Sequence, residues 1–306
     1  MSAERVLVTG AAGNLGRRLV QTLHRRYDVV AVDRRPIGGL PKDVTALRAD
    51  IRWRGVEQCF RERPVQAIVH MGLMHNPRNE VGQYRYNVIG TQRLLELAAK
   101  AQVKKLVVLS SANIYGPDPD NSQYLDEDAP LLGAEYHVEI RDLVAVDRIV
   151  QSFFYRHPEV STVMLRPVHI VGPRIRNAPS TYLRLRKPMT LMGYDPMVQL
   201  IHVDDIVHAI QLSLERPVSG VFNVVGPGEA PLSKVLELLG RRPRPVPSPL
   251  AWRVLSTGWR VGLLGFPPPE LRHVQFSCVV DGQAARTKLG FSPRRSMEET
   301  VLSVLG

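Results

Sequence analysis

The first half of the chain alternates short apolar runs with longer stretches whose apolar residues recur every three or four positions. The short runs RVLVT (5–9), DVVAVD (28–33), TALRAD (45–50), QAIVHM (66–71), KKLVVLS (104–110) and STVMLR (161–166) predict strands. Their near-continuous apolar character suits strands buried on both faces of a parallel sheet. Amphipathic patterns near 14–26, 79–102 and 136–157 predict the helices between them. This rhythm is that of βαβ units, whose right-handed crossovers wind an open sheet with a ligand crevice at the carboxyl ends of its strands.

Beyond Arg166 the rhythm breaks and Pro, Gly and Arg become dense. IHVDDIVHAIQLSLE (201–215) predicts a helix, GVFNVVG (220–226) a strand, and LSKVLELLG (232–240) a short helix with Ser233 as its N-cap. RRPRPVPSP (241–249) predicts a rigid basic connector, and SMEE (296–299) a capping box in which Ser296 and Glu299 open a terminal helix. No clean linker separates two units, so residues 1–172 with 201–226 are expected to form one domain and 173–200 with 227–306 a smaller interleaved lobe.

Composition narrows the class. With 44% hydrophobic and 23% charged residues and no long uninterrupted apolar stretch, the chain is expected to be globular, with no membrane span. Cys59 and Cys278 show neither metal-ligand nor disulfide-framework spacing, so no metal is expected and a reducing cytoplasm is the default. The N-terminus enters a strand pattern at once, without a signal-peptide apolar run. The net charge of +11 would attract phosphate-bearing partners. No nucleic-acid recognition motif accompanies it, so specific nucleic-acid binding is not expected.

The strongest chemical signal is TGAAGNLG (9–16), which follows a predicted strand and opens a predicted helix. Gly10, Gly13 and Gly16 allow a tight turn, and the backbone N–H groups around Asn14 and Leu15 face a pyrophosphate at the positive helix end. Asp33 ends the next strand, where a carboxylate accepts from ribose hydroxyls. Asp33 repels a 2′-phosphate and favours NAD over NADP; Arg34 and Arg35 beside it carry the opposite charge, and Arg34 is also placed to stack on adenine.

With these motifs the sequence resembles the extended short-chain dehydrogenase/reductases, the NAD-dependent epimerase/dehydratase group that includes nucleotide-sugar 4-epimerases. Further marks are Ala49-Asp50 before Ile51, VHMG (69–72), NVIGT (87–91), SSANIYG (110–116), LRPVHIVGP (165–173), IHVDD (201–205) and KLGFSP (288–293). The resemblance covers nearly the whole chain and implies an α/β fold, a Rossmann doubly wound parallel sheet with a smaller, interleaved C-terminal substrate lobe. It implies that Asp50 and Ile51 flank the adenine, that Met71 and Gly72 lie beside the cofactor, and that Asn87 supports its nicotinamide side. Ser111 matches the catalytic hydroxyl residue, and Pro167-Val168 the segment touching the carboxamide. A homodimer joined by the helices near 79–102 and 136–157 is implied as well.

One position departs from the family pattern. In these enzymes a YxxxK pair supplies the acid/base, the lysine lowering the tyrosine pKa. Here EYHVEIRD gives Tyr136 but Ile140. Bringing a tyrosine from about 10 to about 7 takes roughly 4 kcal/mol, none of which Ile140 can supply. Arg141 lies about 140° around the helix from Tyr136, whereas Glu139 shares its face and would raise its pKa further. His169 is a weaker candidate acid/base, at a position where nucleotide-sugar members carry an asparagine. Val198 stands where those members place a phosphate-binding arginine; Arg174, Arg176, Arg184, Arg186 and Lys187 are nearby substitutes.

The distal PLAWRVLSTGWRVGLLGFPPP (249–269) predicts a helix with Trp252 and Trp259 on one face and Arg253 and Arg260 beside them. It reads either as a cover for its own lobe or as a substrate gate or peripheral membrane contact. The expected activity is that of an NAD-dependent epimerase/dehydratase-type oxidoreductase acting on a carbinol of a small-molecule substrate, a sugar nucleotide or a related compound. A hydroxysteroid-like or lipid dehydrogenase and a non-catalytic NAD-binding sensor or scaffold are the alternatives.

Overall fold

In the computed structural model, which describes residues 3–74, 79–136, 138–263 and 267–306 (for 136, 138 and 139 the backbone only), the chain builds one large sheet and two small ones. In chain order the elements are β1 (Arg5–Thr9), α1 (Asn14–Leu23), β2 (Asp28–Asp33), β3 (Thr45–Arg48), α2 (Glu57–Glu62), β4 (Ala67–His70), α3 (Glu80–Tyr84), α4 (Gly90–Lys100) and β5 (Lys105–Leu109). Then come α5 (Gly133–Tyr136), α6 (Val138–Arg156), β6 (Ser161–Pro167), β7 (His169–Val171), α7 (Ala178–Arg184), β8 (Met189–Leu191), β9 (Met197–His202), α8 (Val203–Glu215) and β10 (Gly220–Val224). Finally β11 (Glu229–Pro231), α9 (Leu232–Leu238), β12 (Arg244–Val246), α10 (Ser248–Arg260) and α11 (Met297–Leu302) complete the chain.

The large sheet has seven parallel strands in the order β10-β6-β5-β4-β1-β2-β3. Successive side chains feed opposite layers. Val6 and Val8 pack with Leu19, Leu23, Ile206 and Ile210 of α1 and α8, while Leu7 packs on the other face with Leu94, Ala98, Val150 and Phe153 of α4 and α6. The doubly wound Rossmann sheet is therefore present, and its order reverses between β1 and β4, the place where ligands of such sheets bind.

The second half differs in detail from the sequence expectations. Residues 201 and 202 end β9 instead of starting a helix; α8 begins at Val203, with His202 as its N-cap. Ser233 is not an N-cap: Pro231 precedes α9, and Asp195 takes both the Ser233 N–H and hydroxyl at 2.8 and 2.6 Å. A carboxylate from another loop thus serves the N–H that a local cap would serve. The basic connector is partly strand, because β12 pairs with β8 before α10 starts. The capping box of Ser296 and Glu299 is present. The third sheet, β11-β9-β7, packs with α9 and α11 around Leu200, Leu236, Val301 and Val304.

Candidate functional site

The glycine loop sits at the switch point, where Gly10 and Gly16 are sterically required. Gly10 has φ +75°, and a Cβ on it would lie 2.9 Å from Gly72 Cα, so the loops after β1 and β4 touch backbone to backbone. A Cβ on Gly16 would meet the Gly10 carbonyl oxygen at 2.2 Å. Gly13 caps α1 in extended conformation, no side chain occupies that cap, and no acidic residue lies in the first turn. Asn14 donates its side-chain amide to the Arg174 carbonyl, tying this end to the segment after β7, and Leu15 packs on the core. The cradle offers free N–H groups to an anion and has no room for side chains, which suits a pyrophosphate.

The β4 loop is held by a buried chain of hydrogen bonds that sequence reasoning missed. Thr9 Oγ1 accepts the Met71 and Gly72 N–H groups, each at 3.2 Å, and lies 2.7 Å from His70 Nδ1. With both lone pairs used, the hydroxyl must donate to Nδ1, so the neutral ring carries its proton on Nε2 and donates it to Thr91 Oγ1 at 2.9 Å. Burial pushes the His70 pKa down to about 4, consistent with a neutral ring. The His in VHMG and the Thr in NVIGT carry this signal in retrospect. Asn87, 1% exposed, accepts the Met74 N–H and donates to the Met74 carbonyl, at 2.7 and 2.8 Å. Its amide therefore holds the loop from behind.

At the far end of the cradle Asp33 is buried and heavily solicited. It accepts the Ala12 N–H at 3.0 Å, the Arg35 N–H at 2.9 Å, and Nε and Nη2 of the Arg35 guanidinium at 3.2 Å each. Burial alone would raise its pKa, but the Arg35 and Ala12 hydrogen bonds outweigh burial and hold it below the usual carboxylate range. Asp50 is engaged the same way by Arg52. Between the two pairs lies Tyr86, with the Arg34 and Arg52 guanidinium groups 5.1 and 5.8 Å from its ring centre. Ile51 is buried against Gly90, so its side chain supports this wall from inside. Tyr86 was missed by the sequence reading; it directly precedes Asn87 in chain order, on the π-turn 85–89.

Toward the other side of the crevice, Ser111 opens a short 3-10 turn and accepts the Asn113 N–H at 3.2 Å. Behind it Ser110 donates to Asp147, which also receives both Nε and Nη2 of Arg166. Arg166 and Asp147 are essentially inaccessible to water. Arg166 Nη1 reaches Tyr115 Oη at 2.7 Å and the Glu127 carbonyl at 2.8 Å, and Tyr115 donates to Asn223 of β10. This network clamps the Ser111 turn to β6, β10 and α6. Pro167 ends β6, and Val168 donates its N–H to Val224 and lines a small cavity with Asn113 and His169.

Tyr136 ends α5; its side chain, and all of His137, lie outside the described residues. Ile140 is 5% exposed and packs in the core beside Gly133, where a Cβ would come 2.9 Å from its methyl and 2.4 Å from the Asn113 carbonyl oxygen. Arg141 is exposed and reaches the Ala134 carbonyl. No cation therefore stands at the fourth residue after Tyr136.

The cavity at His169 is ≈ 20 Å³ and is walled by Met197, Val198, His273, Phe276 and Cys278. The His169 and His273 rings meet edge to face at 5.7 Å, and burial drives the His169 pKa down to about 4, so it is neutral near pH 7. Met197 and Phe276 also line a larger neighbouring cavity of ≈ 510 Å³, whose rim holds Asp118, Asp195, Glu229, Tyr124 and Tyr194. No lysine or arginine is among the described residues lining either cavity. Of the basic residues considered as phosphate handles, Arg184 is committed to the Val304 and Ile175 carbonyls. Arg186 and Lys187 are exposed beside β8 and line neither cavity.

These features have a shared origin. Residues 6–226 match the model of the NAD dependent epimerase/dehydratase family. The chain belongs to that family. Among similar proteins, the 3-diazoavenalumate denitrifying reductase of a Streptomyces species is 28% identical over 94% of this chain and 96% of its own length. The UDP-glucose 4-epimerase of Dictyostelium discoideum is 28% identical over 63% of this chain and 56% of its own. Among solved structures, MoeE5 in complex with UDP-glucuronic acid and NAD superposes with TM-score 0.76 at 25% identity, covering 98% of this chain and 97% of that one. The UDP-glucose 4-epimerase of Thermotoga maritima with UDP-glucose gives TM-score 0.77 at 20% identity, with 98% and 97% covered, a likeness of fold.

Proposed function

We propose that this member of the family binds NAD in the Gly10–Gly16 cradle and oxidises or reduces a carbinol or carbonyl centre on a substrate that carries no diphosphate. The carrying observation is the pair of cavities beside the Ser111 turn that share Met197 and Phe276, with carboxylates on the rim and no lysine or arginine among the described residues lining them. A diphosphate there would meet carboxylates, and the guanidinium beside them, Arg272, is already paired with Asp118 at 2.9 Å, so its desolvation is poorly compensated. A neutral, hydroxyl-bearing or aromatic molecule fits Tyr194, Phe276 and Met197 better. Two departures at family positions agree with this, Val198 for an arginine and a neutral His169 for an asparagine.

The cradle and Asp33 fit the cofactor, with Asp50, Arg34 and Tyr86 forming the adenine end and Pro167-Val168 the carboxamide end. NAD, when bound, supplies reversible hydride exchange at its nicotinamide ring. Ser111 holds the substrate oxygen and Tyr136 exchanges its proton, more slowly than in relatives with the lysine because Ile140 supplies no cation to lower the phenol's pKa. His169 shapes the substrate wall as a neutral ring. A second reading rests on the same residue: with an apolar side chain at 140, the chain is an NAD-binding sensor without turnover.

The test is incubation with NAD and NADH and three substrate sets, sugar nucleotides, hydroxysteroids and small aromatic alcohols or ketones, with products resolved chromatographically as well as by nicotinamide absorbance. Turnover of a neutral substrate and none of the sugar nucleotides is expected. Turnover of a UDP- or dTDP-sugar would overturn the substrate reading, tight NAD binding without any turnover would favour the sensor, and no NAD binding would remove both.

A further inference from the structure

Helix α10 buries only one of its faces. Ala251 and Leu255 point inward onto Leu191 and Leu271, with Trp252 half-buried beside them. On the outside Leu250 and Val254 are 52% and 53% exposed, and Val261 and Leu263 just beyond the helix are 60% and 82% exposed. Leu250, Val254 and Val261 fall on one line along the helix, and Arg253 and Arg260 run along one side of it. No aspartate or glutamate occurs between Glu237 and Glu270, whereas Arg241, Arg242, Arg244, Arg253 and Arg260 all do. The β8–β12 pair packs under the helix and adds exposed basic residues beside it: Arg242 N–H bonds Arg186 carbonyl, Met192 N–H bonds Val246 carbonyl, and Arg186, Lys187, Arg242 and Met192 are exposed. Among the described residues none of Arg186, Lys187, Arg242, Arg244, Arg253 and Arg260 forms an ion pair.

We propose that this face docks the protein on an anionic lipid surface. A stripe of large apolar side chains with unpaired arginines along one border and no acid in the segment has the charge and amphipathicity of an interfacial helix. Among the described residues no helix is long and apolar enough to cross a membrane, so the contact is peripheral. A nucleic acid would use the arginines but leave Leu250, Val254, Val261 and Leu263 in water. A protein partner of acidic surface would need an apolar face of its own. Docking also bears on access to the site. Leu271 and Val274 pack on α10, and the same segment carries His273 and Phe276 into the cavity wall, so a substrate partitioned into the lipid would arrive next to that wall.

The test is co-flotation of the full chain with phosphatidylcholine vesicles made with and without phosphatidylserine. Binding to the phosphatidylserine vesicles alone, weakening with added salt, is expected. Each arginine near an anionic surface is worth about fivefold in partitioning, so Arg253→Ala with Arg260→Ala should weaken binding roughly 25-fold. Leu250→Ser with Val254→Ser should weaken it as well, with circular dichroism and NAD affinity unchanged in both variants. No vesicle binding at low salt would overturn the proposal. So would binding that ignores Leu250→Ser and Val254→Ser while a DNA duplex competes it away, which would make the face a polyanion site. Loss of a wild-type dimer in light scattering on Val254→Ser, without effect on vesicle binding, would reassign the face to self-association.

Discussion

Asp33 cannot serve a ribose while it holds Arg35. All four N–H groups on this carboxylate come from Ala12 and Arg35, and two of them belong to the Arg35 guanidinium. That side chain is 59% exposed, against 3% for Asp33, so the arginine is the movable partner. With its arginine in water, the pair is screened toward the surface range of about 0.2–1 kcal/mol, which limits its competition with the ribose to about fivefold. Arg35→Ala should therefore tighten NAD by no more than about fivefold. For NADP the sign reverses: Arg35 hovers over the cradle, its Nη2 3.9 Å from where a Gly13 Cβ would be, and is the natural cation for a 2′-phosphate. Losing a charge-assisted bond of about 1.5–3 kcal/mol should weaken NADP about 10- to 150-fold. Asp33→Asn keeps an acceptor for Ala12 N–H but loses the charge, and should weaken NAD over the same range. Titration calorimetry with both cofactors reads all of these. A tenfold loss of NAD affinity in Arg35→Ala would show that Arg35 binds NAD directly, refuting the competition, and an unchanged Asp33→Asn would remove Asp33 from the ribose site.

Two further outcomes concern the scaffold. His70 is neutral and fully buried with a pKa near 4, while in the unfolded chain it titrates at its ordinary value. Its contribution is thus complete above the unfolded value and lost as pH falls toward the folded one, a loss of about 2 kcal/mol by about pH 5. Urea unfolding across this range should flatten in His70→Gln; an unchanged slope would assign the acid sensitivity elsewhere. Arg166→Met leaves Asp147 buried with only Ser110 and Gln151 to serve it, and should cost about 3–5 kcal/mol in the same assay. A loss below about 1 kcal/mol would mean that water enters the network.

The first half of the fold was legible because buried parallel strands write unbroken apolar runs and the glycine loop has a strict steric logic. Gly10, Gly13 and Gly16 were legible from their spacing between a strand and a helix, although the contact that forbids a side chain at Gly10, with Gly72, is tertiary. Arg35 on Asp33, Thr9 on His70 and Arg166 on Asp147 were not legible, as each joins residues through the folded sheet or through a rotamer choice. The short strands β7, β8, β11 and β12 escaped for another reason. Three-residue pairs such as β8–β12 are fixed by their partner, and Pro and Arg within them contradict the usual strand signature. The Ser233 assignment failed because Asp195, distant in sequence, serves the N-terminus of α9.

Ile140 joins the fold argument to the functional one. In relatives with YxxxK the lysine must keep its ammonium near the tyrosine. Here the corresponding side chain is core: Gly133 brings α5 so close to the Asn113 and Ile114 carbonyls that Ile140 closes the space left behind it. An ammonium placed there would be desolvated in a packed apolar site. Ile140→Lys should therefore lower thermal stability in the apo protein by about 1–3 kcal/mol, the usual penalty for a poorly satisfied buried polar group. If Tyr136 works as the proton carrier, the same variant should shift the alkaline limb of the rate profile to lower pH and raise turnover, because a cation near the phenol lowers its pKa. A stable variant with an unshifted profile would mean that residue 140 does not face the phenol and that the proton leaves by another route.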